Sequence, residues 1–242
     1  MNQVALIDLL FRLADDELLV GHRNSEWTGV APIIEEDIAF SSMAQDEMGH
    51  ALAYYTILHE RLGQAPPDQL AFLREPHEFR NAALTALPRR DWSETIVRQF
   101  LYDAAEHVRL ECYAQHPFEP LAHVARKIHG EEKYHFLHAR TWMTRLAQTD
   151  ESRQRMQVAI GILWPHALGM FETGQSEQDA PFDEASIMEA WLALITPILV
   201  EAGYQVPSST AIYSRYAAPT PDRIELLAAM QKVYRIDPNA EW

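Results

Sequence analysis

Apolar residues recur at helical spacing over long stretches of the chain, and a few polar residues interrupt the apolar faces. Near the N-terminus one stripe carries Leu6, Leu9, Leu10, Leu13, Glu17 and Val20. Glu17 therefore occupies a position at which the pattern expects an apolar side chain. Residues 21–32 contain Asn, Gly and Pro, which favour a connection to the next helix.

The same spacing predicts three further long helices, over residues 33–62, 91–115 and 120–147. Gly63 is expected to end the second of them. Polar residues again lie on the apolar stripes: Glu47 and His50 in the second helix, Asp103 and Glu106 (or His107) in the third, and Glu132 and His135 in the fourth. Residues 64–90 contain four prolines and are interpreted as an irregular crossover with one short helix near residues 79–84.

Beyond residue 150 the pattern predicts helices over 156–171, with a break at Pro165, and over 185–203 and 221–233, with a loop over 174–183. The fold class is therefore all-α. We expect a four-helix bundle with a long crossover between helices two and three and extra C-terminal helices. A single domain over residues 1–242 is predicted, with a core bundle at about 2–147 and a helical extension at about 150–242.

The composition supports this interpretation and excludes several partners. Apolar residues make up 48% and charged residues 23%, as in a globular protein, and only 9 glycines disfavour a hairpin-rich β fold. The net charge of −15 disfavours binding to nucleic acid or to an anionic membrane. A single cysteine, Cys112, fits a reducing compartment. With no long apolar run and no secretory N-terminal segment, a cytoplasmic location is expected.

The polar residues that interrupt the apolar stripes form a pattern that is typical of a metal-binding site. Glu47-x-x-His50 and Glu132-x-x-His135 each place a carboxylate and an imidazole on one helix face, because residues three apart are neighbours on a helix. A dinuclear iron or manganese carboxylate bundle uses two such pairs together with one carboxylate from each of the other two helices. Glu17 would supply one of these carboxylates, and Asp103 or Glu106 the other.

An ordinary structural interpretation competes with the metal site. A single inward Glu is more often paired with Arg, and a single buried His usually makes a hydrogen bond within the core. Six such groups converging in one core would be costly to bury without a cation, which favours the metal interpretation. Between Asp103 and Glu106 the pattern leaves the ligand open, and the other residue would hold a ligand in place.

Three strings in the sequence carry a resemblance to a known family: LADDELLVGHRNSEWTGVAPIIEEDIAFSSMAQDEMGH, LAFLREPHEFRN and TIVRQFLYDAAEH. The chain resembles the C subunits of bacterial phenylacetyl-CoA epoxidases, over most of its length and most closely over the first 150 residues. The resemblance implies a ferritin-like bundle in a multicomponent monooxygenase of phenylacetate degradation. In such an assembly the related A subunit holds the di-iron centre that acts on phenylacetyl-CoA, and the C subunit is its structural partner.

The metal pattern is similar to that of the A subunits. There a Glu precedes a Trp by ten residues, as Glu17 precedes Trp27 here, and the other matches are Glu47, His50, Asp103, Glu132 and His135. C subunits often lose members of this set, and this chain departs from them by keeping it. Two alternatives to a structural epoxidase subunit therefore stay open, a self-contained dinuclear oxidase or oxygenase and a ferritin-like scaffold. The expected assembly is a homodimer or a hetero-oligomer.

Overall fold

The computed structural model describes residues 2–174 and 183–240. Its α-helices are α1 (Gln3–Ser25), α2 (Ile34–Leu62), α3 (Pro67–Phe72), α4 (Ala83–Ala86), α5 (Trp92–Tyr113), α6 (Glu119–Leu146), α7 (Asp150–Leu168), α8 (Glu184–Glu201) and α9 (Pro221–Gln231). Within those two ranges there is no β-strand. The order of two long helices, a long connection, two more long helices and further C-terminal helices confirms the all-α, ferritin-like class. Most of the loop predicted over 174–183 lies outside the described residues.

The described residues form two compact units. One comprises residues 2–88, 174 and 214–240, with α1 to α4 and α9, and the other comprises 89–173 and 183–213, with α5 to α8. The predicted single domain and its internal boundary stay predictions. In the described ranges we find no helix that is both long enough and apolar enough to cross a bilayer.

In the first unit, α1 and α2 pack against each other as an antiparallel pair. The Asn2 side chain caps α1 by accepting a hydrogen bond from the Val4 N–H at 3.0 Å. As predicted, α2 ends at Gly63, whose φ of 70° is the left-handed conformation that closes helices. The prediction that the first helix ends before residue 21 is wrong, because α1 continues through Gly21 to Ser25 while packed against α2.

The crossover is more ordered than predicted. Instead of one helix near residues 79–84, it contains α3, a 3-10 turn at Pro76–Glu78 and α4. The buried carboxylate of Asp15 on α1 organises the first part of this segment. It accepts hydrogen bonds from the Tyr55 hydroxyl at 2.5 Å and the Arg80 backbone N–H at 2.6 Å, and it forms an ion pair with Arg74.

Asp16, the neighbour of Asp15 on α1, organises the second part of the crossover. One oxygen accepts from the Ala82 N–H at 2.7 Å, and the other accepts from the Arg215 guanidinium at 2.6 Å. Arg223 on α9 donates to the carbonyl oxygens of Asn81 and Ser214. The acidic pair before Glu17 thus fixes α1 to the crossover and to the C-terminal segment of the same unit.

In the second unit, α5 contacts α6, α7 and α8. Asp91 caps α5 by accepting from the Glu94 N–H at 3.0 Å, and the Trp191 indole of α8 donates to the Leu101 carbonyl at 3.1 Å. The break predicted at Pro165 is wrong, because α7 continues to Leu168. Pro165 lies in the last turn of α7 and removes one backbone hydrogen bond there, while its own carbonyl accepts from the Ile212 N–H at 2.9 Å.

Candidate metal centre

In the first unit, the antiparallel packing of α1 and α2 brings Glu17, Glu47 and His50 together. The His50 Nδ1 atom lies 3.5 Å from Glu17 Oε2 and 3.4 Å from Glu47 Oε2. One potential ligand atom from each of the three residues lies within 4.8 Å of the other two. All three side chains are buried. The structure therefore brings these three predicted site residues together.

Burial makes the charge of this group costly. It raises the pKa of Glu17 well above its usual value, and the neighbouring Glu47 carboxylate raises it further. For His50, burial opposes the charged ring, but the carboxylates of Glu17 and Glu47 outweigh it and raise the pKa above 6.5. Both shifts favour the protonated forms of Glu17 and His50 when no metal is bound. Metal binding displaces such protons from carboxylate and imidazole ligands.

In the second unit, Glu132 and His135 of α6 form the other predicted pair. Because they are three residues apart, they lie on the same face of α6, and His135 Nδ1 is 3.0 Å from Glu132 Oε1. Both side chains are buried. The two Glu-x-x-His motifs thus adopt the same local arrangement, one in each unit.

The two acidic candidates of α5 differ in their partners. Asp103 Oδ1 accepts a hydrogen bond of 2.6 Å from the neutral Gln99 amide. Glu106 Oε1 instead forms an ion pair with Arg109 Nη1 at 2.8 Å. Both carboxylates are buried. Glu106 thus has its charge balanced by a guanidinium on its own helix.

The ion pair between Arg109 and Glu106 was not predicted from the sequence. The Arg109 guanidinium also donates to the Met170 carbonyl at 2.7 Å and lies 3.7 Å from Glu184, which accepts from the Tyr113 hydroxyl at 2.9 Å. The spacing of Glu106 and Arg109, three residues apart on one helix, was the available signal. The contacts with Met170 and Glu184 span more than 60 residues and leave no local pattern.

The donor atoms fit the metals expected for this class of site. Each unit offers carboxylate oxygens and an imidazole nitrogen from buried side chains that are already close together. Iron and manganese accept mixed oxygen and nitrogen ligands of this kind, whereas the thiolates typical of structural zinc and iron–sulfur sites are absent from both groups. The residues that could hold a metal ion are therefore Glu17, Glu47, His50, Glu132 and His135.

The helical fold defines a ferritin-like protein, and its buried Glu and His residues could bind a metal ion. Comparison with known proteins gives the family: the model described as "Phenylacetic acid catabolic protein" matches residues 1–242, and the chain belongs to that family. It is 32% identical to the C subunit of the 1,2-phenylacetyl-CoA epoxidase of Escherichia coli (strain K12), over an alignment of 257 residues that covers 100% of both chains. The resemblance seen in the sequence is thus confirmed.

Proposed function

We propose that this chain is a subunit of a multicomponent phenylacetyl-CoA epoxidase of aerobic phenylacetate catabolism, where it binds and stabilises a catalytic A subunit in the cytoplasm. The observation that carries the proposal is the full-length match to the C subunit of such an epoxidase. The complex would use O2 and electrons from a reductase to epoxidise the aromatic ring of phenylacetyl-CoA. Nucleic acid and membranes are not expected partners, in line with the net charge of −15.

Co-expression tests this role directly. The chain is produced with a tagged A subunit from the same organism, and the pair is purified through the tag and passed over a size-exclusion column. We expect both chains to elute together in constant ratio. The control is the chain expressed with the tag alone, which should not be retained. A chain that always elutes as a free monomer contradicts the proposal.

We also propose that the chain holds two iron or manganese ions, one at the pair Glu47 and His50 with Glu17, and one at the pair Glu132 and His135. Support comes from the burial and short ligand separations within each unit, and from the helix order of dinuclear carboxylate proteins. When bound, such a centre supplies the capacity to bind and reduce O2.

Asp103 is the better candidate for the α5 ligand. Its Oδ1 atom accepts a hydrogen bond from the uncharged Gln99 amide. Glu106 is ion-paired with Arg109, and binding a metal would require it to give up or share that partner. We therefore assign ligation to Asp103 and a positioning role to Glu106.

Elemental analysis tests the metal proposal. Protein produced in iron-rich medium is purified without chelator, and we expect about two metal ions per chain. Glu47→Ala should lose most of the iron. Glu60→Ala is the matched control, because Glu60 is an exposed acid on the same helix. Less than one tightly held ion per chain in the wild type contradicts the proposal.

A self-contained oxidase or oxygenase is the second candidate, favoured by the retention of both Glu-x-x-His pairs. It predicts that the isolated, iron-loaded chain consumes O2 when supplied with a reductant, and that Glu47→Ala abolishes this activity. A structural subunit would show O2 consumption only with its A subunit present. Absence of both metal and partner would leave the ferritin-like scaffold as the remaining interpretation.

A further inference from the structure

A second group of potential metal ligands lies within the second unit, apart from the residues assigned above. It consists of His107 and Glu111 on α5 and His129 on α6. His107 and Glu111 are four residues apart and therefore lie on the same helix face. The packing of α6 against α5 brings His129 to that face.

The separations suit a small cation. Glu111 Oε1 lies 3.7 Å from His107 Nε2 and 3.9 Å from His129 Nε2, and one potential ligand atom from each residue lies within 4.8 Å of the others. Ligands bonded tetrahedrally to zinc at ~2.0–2.1 Å are ~3.3 Å apart. The two Glu111 separations exceed this value by ~0.4 and ~0.6 Å, and the exposed Glu111 side chain can move by that amount.

The surroundings hold the two imidazoles in place and leave a path to solvent. The His107 ring stacks on Phe136 with a centroid distance of 5.6 Å, and the two histidine rings are 5.2 Å apart. Their side chains are about one-fifth exposed, whereas that of Glu111 is 59% exposed. The His129 Nε2 atom is buried and accepts or donates no hydrogen bond within the described part of the chain.

We propose that His107, Glu111 and His129 bind one divalent cation of the zinc class, which links α5 to α6. Two imidazoles and one carboxylate form a known zinc ligand set, which leaves a fourth position for water or another ligand. Cu²⁺ and Ni²⁺ accept the same donors. This site is independent of the proposed epoxidase role and of the Glu-x-x-His pairs.

Binding should stabilise the α5–α6 pair, because a metal bound only by the folded chain shifts the folding equilibrium towards it. Saturating Zn²⁺ should therefore raise the Tm of the full chain. The His107 backbone is directly adjacent to Glu106, so the cation would also restrain the segment of α5 that contains Asp103 and Glu106.

Equilibrium dialysis of the full chain against Zn²⁺, after removal of all metals, tests the site. The test variants are Glu111→Gln, which changes an exposed side chain, and His129→Ala. The control is His123→Ala, since His123 is an exposed histidine on the same helix. We expect each test variant to bind one zinc fewer per chain, or to bind it at least about tenfold more weakly, while the control equals the wild type.

Two further measurements separate this site from the interior pairs. Glu47→Ala should keep the Glu111-dependent zinc, and Glu111→Gln should keep the iron of protein grown in iron-rich medium. The zinc-dependent rise in Tm should be smaller in Glu111→Gln and His129→Ala than in His123→Ala. If both test variants bind the same number of zinc ions with the same affinity as the wild type, the proposal is wrong.

Discussion

Gly21 of α1 lies directly against Glu47 of α2. A Cβ atom at position 21 would be 2.8 Å from the Cβ of Glu47 and 3.3 Å from the carbonyl oxygen of Ala44. The first distance is shorter than real Cβ atoms accept. The close approach of the two helices at a candidate metal ligand therefore requires a glycine in the middle of α1.

Gly21→Ala should destabilise the protein. Alanine favours a helix more than glycine does, but the clash with Glu47 forces the helices apart, and such overpacking costs about 1–3 kcal/mol. Gly49→Ala is the matched control: a Cβ there meets no described atom within 4 Å, so the change should stabilise by about 0.5–1 kcal/mol. Urea unfolding measures the unfolding free energy of both variants. Equal stability of the two variants would contradict the close approach.

Asp15→Asn should cost about 3–5 kcal/mol, because it leaves the buried guanidinium of Arg74 without its counter-charge. The unfolding free energy of metal-free protein is the quantity to compare. As a control, Glu151→Gln removes an ion pair with Arg155 in which both side chains are mostly exposed, and it should change stability by at most ~1 kcal/mol. A small effect of Asp15→Asn would show that the crossover does not depend on this carboxylate.

The inward position of Glu17, Glu47 and His50 could be predicted from the sequence because helical periodicity is a local property. Each of the three interrupts an otherwise apolar stripe, and spacing alone places Glu47 beside His50. The same argument holds for Glu132 and His135. Gly63 at the end of α2 is likewise a local signal.

The partners of Asp15 and Asp16 could not be predicted in this way. Arg74 is 59 residues from Asp15, and Arg215 is 199 residues from Asp16, so no periodic pattern links them. In the sequence the two aspartates only interrupt an apolar N-terminal segment. The length of α1 was underestimated for a related reason, since Gly21 signals a turn unless the close approach of Glu47 is known.

The α5 ligand assignment predicts opposite behaviour for two conservative variants. Asp103→Asn should lower the iron content of protein grown in iron-rich medium, because it removes a ligand charge. Glu106→Gln should keep most of the iron but lower the unfolding free energy by about 1–3 kcal/mol, because the buried Arg109 loses its shorter ion pair and keeps the longer one with Glu184. Elemental analysis and urea unfolding of the same samples give both values. Loss of iron only in Glu106→Gln would reverse the assignment.

The turn between α5 and α6 should give the protein an acid-sensitive element at His116. Burial lowers the pKa of His116 below its usual 6.5, and its Nδ1 accepts a hydrogen bond of 3.1 Å from the Phe118 N–H, which requires that nitrogen to be unprotonated. A histidine whose folded pKa is lowered binds more protons when unfolded, so its contribution to stability is present above pH 6.5 and is lost as the pH falls below that value.

Between about pH 7.5 and pH 5.5, the Tm of metal-free wild type should therefore fall more than that of His116→Asn. Asparagine can accept the same backbone hydrogen bond through its amide oxygen but does not titrate. His123→Asn controls for the loss of a histidine, since His123 is exposed on α6, and its Tm should follow the wild type. Parallel curves for wild type and His116→Asn would mean that protonation of His116 does not destabilise this turn.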